Sequence, residues 1–364
     1  MGEPLNVGII GCGKIIAQYL ETFARLDDVR LVAVADLDPV RAREVADSVP
    51  GTRALSVAEL LATPEIAVVV NLTIPAAHAE VSLRIIGSGK SVYVEKPLTS
   101  TTVEARAVLA AADAAGVRVG CAPDTVLGSG IQTARHAIDG GLIGAPISAT
   151  ATMVTPGHER WHPNPDFYYV AGGGPLLDMG PYYVTALVTL LGPVTRVVGA
   201  ASATRATRTI QSGERAGEVI PVSTPTHVTG ILVHESGAIT TIVTSFDAVA
   251  TTASNIEVHG ELGTLAVPDP NIFDGEVRLW ALGDTKWSVL PVSAGYTAAS
   301  RGYGVADMAW HADASGPGES HASGVLAFHV LDVMESLLRS AETCESVPVT
   351  STVDRPGVVP LSAR

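Results

Sequence analysis

The chain has 364 residues, of which 47% are hydrophobic and 16% charged, with 36 glycines, 23 prolines and a formal net charge of −14. That length suggests two domains, and that composition a soluble, well-packed protein in place of a disordered one. The acidic balance argues against nucleic acid or an anionic membrane surface as partner, because both select clustered Lys and Arg.

The N-terminus, MGEPLNVGIIGCG, has no basic leader region and reads as a strand, so no signal peptide is expected. Over roughly the first third of the chain, short runs rich in Val and Ile alternate with helical patterns. Strands are expected at 5–10, 29–36, 66–73, 91–95 and 117–123, nearly apolar throughout, as in a parallel sheet buried on both faces. Between them AQYLETFARL, PVRAREVADS, AAHAEVSLRIIGSG and TTVEARAVLAAADAAG carry helical spacing with Gly or polar ends. The fold class that follows is α/β, with a doubly wound parallel sheet of the Rossmann type over 1–122.

Beyond that boundary the pattern changes. One helix is expected around 128–140, ended by Gly140-Gly141, and another from GGGPLLD to about Leu191. Thr- and Val-rich strands then dominate to about residue 291, including a hairpin in THVTGILVHESGAITTIVTSF that turns at Glu235-Ser236-Gly237. Its strands put Val228 and Leu232 on one face and Ile231 and Val233 on the other, so the second face is expected to bury against another subunit. A long helix follows at about 324–343, and 123–364 is read as an α+β substrate-binding and oligomerisation domain. Cys12, Cys121 and Cys344 are isolated and form no CxxC pair, which suits a reducing cytosol. No apolar run reaches transmembrane length, and a cytoplasmic protein is expected.

Three motifs carry chemistry. GCGKII at 11–16 sits between strand and helix, where Gly11 permits the tight turn and Gly13 lets backbone N–H groups approach a pyrophosphate. Asp36 closes the second strand, where an acid holds the adenosine ribose hydroxyls; with the uncharged Leu37 it favours NAD, while Arg41 and Arg43 leave NADP open. VEKP at 94–97 ends a parallel strand and points Lys96 into the crevice, where partial desolvation makes it a useful donor. In GGGPLLDMGPYY, Asp178 and Tyr182 share one helical face, although Pro181 must kink that helix or begin a second start. The plainer reading of that pair is a capping acid and a half-buried phenol.

HERWH at 158–162 matches the zinc-protease signature HExxH, yet Pro156-Gly157 before it and Pro163-Asn164-Pro165 after it leave barely one turn of helix. No metal is expected there. Arg160, Trp161 and His162 are instead read as a loop that grips a polar ligand, the indole supplying a stacking face. Serine-hydrolase elbows and phosphate-binding Walker loops find no match.

Taken together, GCGKI, VEKP, GGGPLLDMGPYY and RGYGVADMA at 301–309 resemble the glucose–fructose oxidoreductase / inositol dehydrogenase / MocA family over nearly the whole chain. The resemblance implies a C-terminal domain with a large open, mostly antiparallel sheet, and homodimers or homotetramers joined through it. It also implies reversible hydride transfer between NAD(P) and a carbinol or carbonyl carbon of a sugar, inositol or related polyol. Lys96, Asp178 and Tyr182 match the family's catalytic positions, with tyrosine where many members have histidine. Gly11, Gly13, Lys14, Ile15 and Asp36 match the nucleotide side of the cofactor site. Asn71, Thr73 and Pro75 match the segment beneath the nicotinamide, and His78, Glu95 and Lys96 are also carried over as cofactor-binding. Ile16 departs from the small residue usual in the turn, and Asp124 stands where Asn or Gln is common, in a region that contacts substrate. Two alternatives remain: a non-catalytic NAD(H)-binding sensor, and a sugar–sugar oxidoreductase that retains its cofactor.

Overall fold

The computed structural model describes residues 4–311 and 320–362. By its internal contacts the chain divides into two units: Met1–Gly128 with Tyr296–Phe328 and Ser362–Arg364, and Ser129–Gly295 with His329–Leu361. The first unit thus takes in a stretch far along the chain from the rest of it.

In the first unit the elements run β1 (Leu5–Ile10), α1 (Ile16–Phe23), β2 (Val29–Ala35), α2 (Pro39–Ser48), β3 (Arg53–Ala54) and α3 (Val57–Ala62). They continue with β4 (Val68–Asn71), α4 (His78–Gly87), β5 (Ser91–Val94), α5 (Thr102–Ala115) and β6 (Val119–Cys121). The strands form one sheet in the order β3-β2-β1-β4-β5-β6, with every pairing parallel. Val7, Ile9, Val34, Val69, Val70 and Val92 are fully buried, which explains the near-absence of polar alternation in these strands. Local chemistry sets the helix starts. Asp38 accepts the Val40 N–H at 2.9 Å ahead of Pro39, and Ser56/Glu59 and Thr101/Glu104 form capping boxes on α3 and α5. The strand order reverses between β1 and β4, and ligands of such sheets bind beyond the carboxyl ends of the strands at that switch.

The second unit contains α6 (Ser129–Asp139), β7 (Pro146–Val154), α7 (Pro175–Leu191), β8 (Val194–Ser202), β9 (Thr207–Thr209) and β10 (Val219–Pro221). Next come β11 (His227–His234), β12 (Ile239–Ser245), β13 (Ile256–Gly260), β14 (Gly263–Val267), β15 (Arg278–Ala281) and β16 (Ser288–Val289). The remaining elements are α8 (Tyr303–Trp310) in the first unit, α9 (Gly324–Thr343), and β17 (Val347–Pro348). Nine strands pair in the order β16-β15-β14-β13-β7-β12-β11-β8-β17, antiparallel except for β7 against β12.

The expected hairpin is β11–β12, closed by Gly237 N–H to the His234 carbonyl at 3.0 Å. One face of the sheet buries Ala149, Ala151, Val197, Leu232, Ile242 and Val258, with α7 packed against β11 and β12. Across the other face runs the row Val198–Ile231–Thr241–Thr150–Glu257. Val198 and Ile231 are each 42% exposed, so the second apolar face read from the hairpin is a mixed one, in which threonines separate the aliphatic side chains. No helix among the described residues is long and apolar enough to cross a membrane.

Candidate functional site

The first unit builds a turn after β1. Gly11 has φ 103°, and a Cβ there would stand 2.6 Å from the Leu72 carbonyl oxygen, so only glycine fits between β1 and the end of β4. The N-terminus of α1 has no side-chain cap, and Gly13 and Lys14 are exposed beside it. The Ile16 and Gln18 N–H groups donate to the Gly13 and Ile15 carbonyls at 3.2 and 3.1 Å, so the turn before them and the positive end of the helix are what an anion would meet. Ile16, the departure noted in the motif, is buried as the first residue of α1 and packs into the core.

Asp36 lies one residue past β2 and is tied to this turn. Its Oδ2 accepts the Cys12 N–H at 2.7 Å, its Oδ1 accepts the Asp38 N–H at 2.9 Å, and the Arg41 guanidinium stands 3.9 Å away. Burial, with the Asp36 carboxylate adding to it, pushes the Cys12 thiol up to about 11, which keeps it protonated and unreactive at neutral pH. Leu37, next to the acid, is 99% exposed. A fully exposed aliphatic side chain beside a fixed carboxylate offers a flat apolar surface next to an acceptor of hydroxyl groups.

At the ends of β4 and β5 the expected residues form a clasp. Asn71 donates to the His78 carbonyl and to Ser82 Oγ, both at 3.1 Å, while its Oδ1 accepts the Thr73 hydroxyl at 2.7 Å. The His78 ring lies 2.6 Å from the Pro97 carbonyl and 3.0 Å from the Thr73 carbonyl. Burial holds its pKa below the usual imidazole range, so the neutral ring donates to one carbonyl at a time, and Pro97 is the nearer. Glu95 accepts the Tyr19 hydroxyl at 2.9 Å and the Lys96 N–H at 3.0 Å. Asn71, His78 and Glu95 therefore fix the backbone that presents Thr73, the exposed Pro75 and the half-buried Lys96.

Asp124, expected among the substrate contacts, is fully buried. Its Oδ2 accepts the N–H groups of Gly302 at 2.8 Å and Gly304 at 3.0 Å, so it caps α8, and burial raises its pKa.

The second unit presents α7. Gly174 precedes it with φ 90°, and a Cβ there would meet the Pro225 carbonyl oxygen at 2.7 Å, which accounts for glycine at the entry. Pro175 opens the helix, and Pro181 sits inside a helix that continues to Leu191, so no second start occurs. Asp178 is half-buried on the first turn and Tyr182 is buried one turn later.

HERWH forms a single 3₁₀ turn over His158–Arg160, and its members go separate ways. His158 Nε2 lies 3.1 Å from Asp178 Oδ2, and His162 Nδ1 accepts the Asn164 N–H at 3.1 Å. Glu159 is buried against Arg208, whose guanidinium also pairs with Asp247, and the Tyr169 hydroxyl donates to the other Glu159 oxygen. His158 is the residue that sequence reasoning passed over. Its ring is enclosed by Trp161, Tyr168 and Phe246, with centroids 5.1, 4.6 and 4.4 Å away. The signal was present in the histidine of the rejected zinc motif, but its partner Asp178 lies on another element.

Arg160 is exposed, Trp161 is 59% exposed, and a chain of ring contacts runs from Trp161 through His162 to Phe167. Arg215 grips Asp166 through two hydrogen bonds of 2.6 and 3.0 Å, holding this partly exposed aromatic shelf in place.

Residues 5–122 match the oxidoreductase family, NAD-binding Rossmann fold, and residues 131–266 match the GFO/IDH/MocA C-terminal domain. The chain belongs to the GFO/IDH/MocA oxidoreductase family. Among its relatives, an inositol 2-dehydrogenase of Ralstonia nicotianae is 34% identical over 150 residues, covering 39% of this chain and 44% of the relative. A 1,5-anhydro-D-fructose reductase of Ensifer adhaerens is 31% identical over 177 residues, covering 47% of this chain and 52% of the relative. The chain thus spans about half the length of these curated family members. The crystal structure of an NAD binding oxidoreductase from Klebsiella pneumoniae superposes with a TM-score of 0.82 at 22% identity. It covers 96% of this GFO/IDH/MocA chain and 100% of the other, a likeness of fold.

Proposed function

We propose that the protein is a cytoplasmic NAD-dependent oxidoreductase acting on a sugar, inositol or related polyol. The observation that carries this reading is Asp36, fixed by the Cys12 N–H against an uncapped helix start, an arrangement that suits a dinucleotide. Gly13, Lys14 and Ile15 would hold its diphosphate through backbone N–H groups, on a turn that Gly11 shapes while its own N–H donates to the Ala35 carbonyl at 2.8 Å, and Asp36 would hold the adenosine ribose. Thr73, Pro75 and Lys96 would face the nicotinamide end, on the clasp made by Asn71, His78 and Glu95. A carboxylate already committed to backbone donors repels a ribose phosphate, which favours NAD over NADP. When bound, the cofactor supplies the hydride acceptor or donor for the carbinol or carbonyl carbon.

On the substrate side, Tyr182 would exchange the hydroxyl proton and Lys96 would hold the substrate oxygen. Asp178 orients the substrate or the phenol and is itself oriented by His158. Arg160, Trp161 and His162 grip the sugar, with the exposed indole as stacking face. The inositol and anhydrofructose chemistry of the relatives supports the substrate class, and three free cysteines agree with a reducing compartment. Homodimers or homotetramers would form through the outward face of the nine-stranded sheet, a reading that a monomer in sedimentation equilibrium would remove.

The test is kinetic. With inositols, aldoses and anhydro sugars screened against NAD and NADH, Tyr182→Phe should bind cofactor as the parent chain does and lose at least about a hundredfold in kcat. Lys96→Ala should lower kcat more than it weakens cofactor binding. Unchanged turnover in either variant removes that residue from the reaction.

A further inference from the structure

In the first unit a cluster unrelated to the cofactor cradle gathers three metal-ligating side chains: Asp307, His311 and His321. Asp307 and His311 are one turn apart at the end of α8, and His321 comes from the chain that leads into α9. We propose that they form a binding site for a divalent transition-metal ion of the zinc class.

The geometry supports this in three ways. Asp307 Oδ1 lies 2.9 Å from His321 Nδ1 and 3.6 Å from His311 Nδ1, and one ligand atom from each residue falls within 4.8 Å of the other two. Ligands about 2.1 Å from a tetrahedral ion stand about 3.4 Å from one another, so small side-chain rotations close the set. Next, the carboxylate is fully buried and already oriented from behind. The Tyr296 hydroxyl donates to Oδ1 at 3.2 Å and the His321 N–H donates to Oδ2 at 2.8 Å. Such outer partners aim a first ligand. Finally, the two imidazoles are only partly covered, leaving room for water or an exchangeable ligand at the remaining position.

Two imidazoles with one carboxylate suit zinc, cobalt or nickel and are a poor set for magnesium or calcium, which take mainly oxygen. Without metal, His311 Nδ1 sits 2.7 Å from the Asp307 carbonyl and His321 Nδ1 faces the carboxylate, so each ring carries its proton on Nδ1. Coordination moves that proton to Nε2 and frees the Nδ1 lone pair. A bound ion would cross-link the end of α8 to the start of the segment entering α9. Its role would be structural, separate from hydride chemistry.

The test uses the full chain, without an affinity tag, stripped with a chelator and titrated with Co²⁺ and Zn²⁺. One equivalent of Co²⁺ per chain should bind with the intense visible bands of a four- or five-coordinate ion, and Zn²⁺ should displace it. His311→Gln and His321→Gln keep a hydrogen-bond donor for Asp307 but remove the imidazole, and each should weaken Zn²⁺ at least tenfold. Saturating Zn²⁺ should raise the Tm of the parent chain and not of the double variant. No uptake by the parent chain, a pale six-coordinate cobalt spectrum, or equal affinity in parent and double variant would each overturn the proposal. The first two results need no variant, so a misfolded substitution does not rescue it.

Discussion

Arg208 on β9 is the cation around which the loop carrying His158 is assembled. Its side chain is 1% exposed and touches Glu159 at 3.1 Å, Asp247, and the Phe246 carbonyl at 3.2 Å, with the guanidinium 5.2 Å over the Tyr169 ring. Removing it strands the Glu159 carboxylate in a buried site, and breaking a buried ion pair from one side costs about 3–5 kcal/mol. Arg208→Ala should therefore lower the Tm by many degrees, and Glu159→Gln added to it should recover part of the loss, because the stranded charge is gone. A Tm unchanged by Arg208→Ala in a differential scanning experiment would contradict this account of the loop. The network also explains why a zinc-like motif appears where zinc chemistry does not: its glutamate is spent on an arginine and its first histidine on Asp178.

At the scale of elements, the second unit is held partly by neutral buried histidines. His329 on α9 accepts the β8 Val194 N–H at 3.0 Å through Nε2, which requires an unprotonated nitrogen there, and burial lowers its pKa to about 4. His234 on β11 is lowered in the same direction by burial, as is His78 in the first unit. The unfolded chain takes up protons near 6.5, before the folded one does, so this stability is present above about pH 6.5 and lost as pH falls toward 4. His329 alone accounts for about 3 kcal/mol of that loss. Urea midpoints should fall steadily from pH 7 to 4, and a flat profile across that window would contradict the assignment. The elements legible from sequence were those with a clear period or clear ends. β1, α2 and α9 lie where the residues place them, because apolar runs, Pro39 after Asp38, and a long amphipathic stretch mark them. β3 is two exposed residues with no apolar signal, and α3 is barely longer than its capping box. α8 was missed for the opposite reason: Tyr303 to Met308 are all buried, so no polar face reveals the helical period. Among candidate site residues, local motifs singled out the glycine turn, Asp36, Lys96, Asp178 and Tyr182. The pairing of His158 with Asp178 and the capping of α8 by Asp124 depend on contacts between distant parts of the chain.

At the scale of the whole molecule, two units divide the work that the proposed reaction needs. One carries a glycine turn, an acid and a clasped lysine; the other carries an acid and a phenol on the sheet-backed α7 and an aromatic shelf in the loop that precedes it. The central claim is that the first of these takes NAD through Asp36. Titration of the purified chain with NADH and, separately, NADPH, followed by nucleotide fluorescence, tests it most directly. The account predicts saturable NADH binding at least tenfold tighter than NADPH, with the preference reduced in Asp36→Ala. Tighter binding of NADPH would transfer the ribose site to Arg41 and Arg43, and a chain that binds neither nucleotide and carries none would contradict the claim outright.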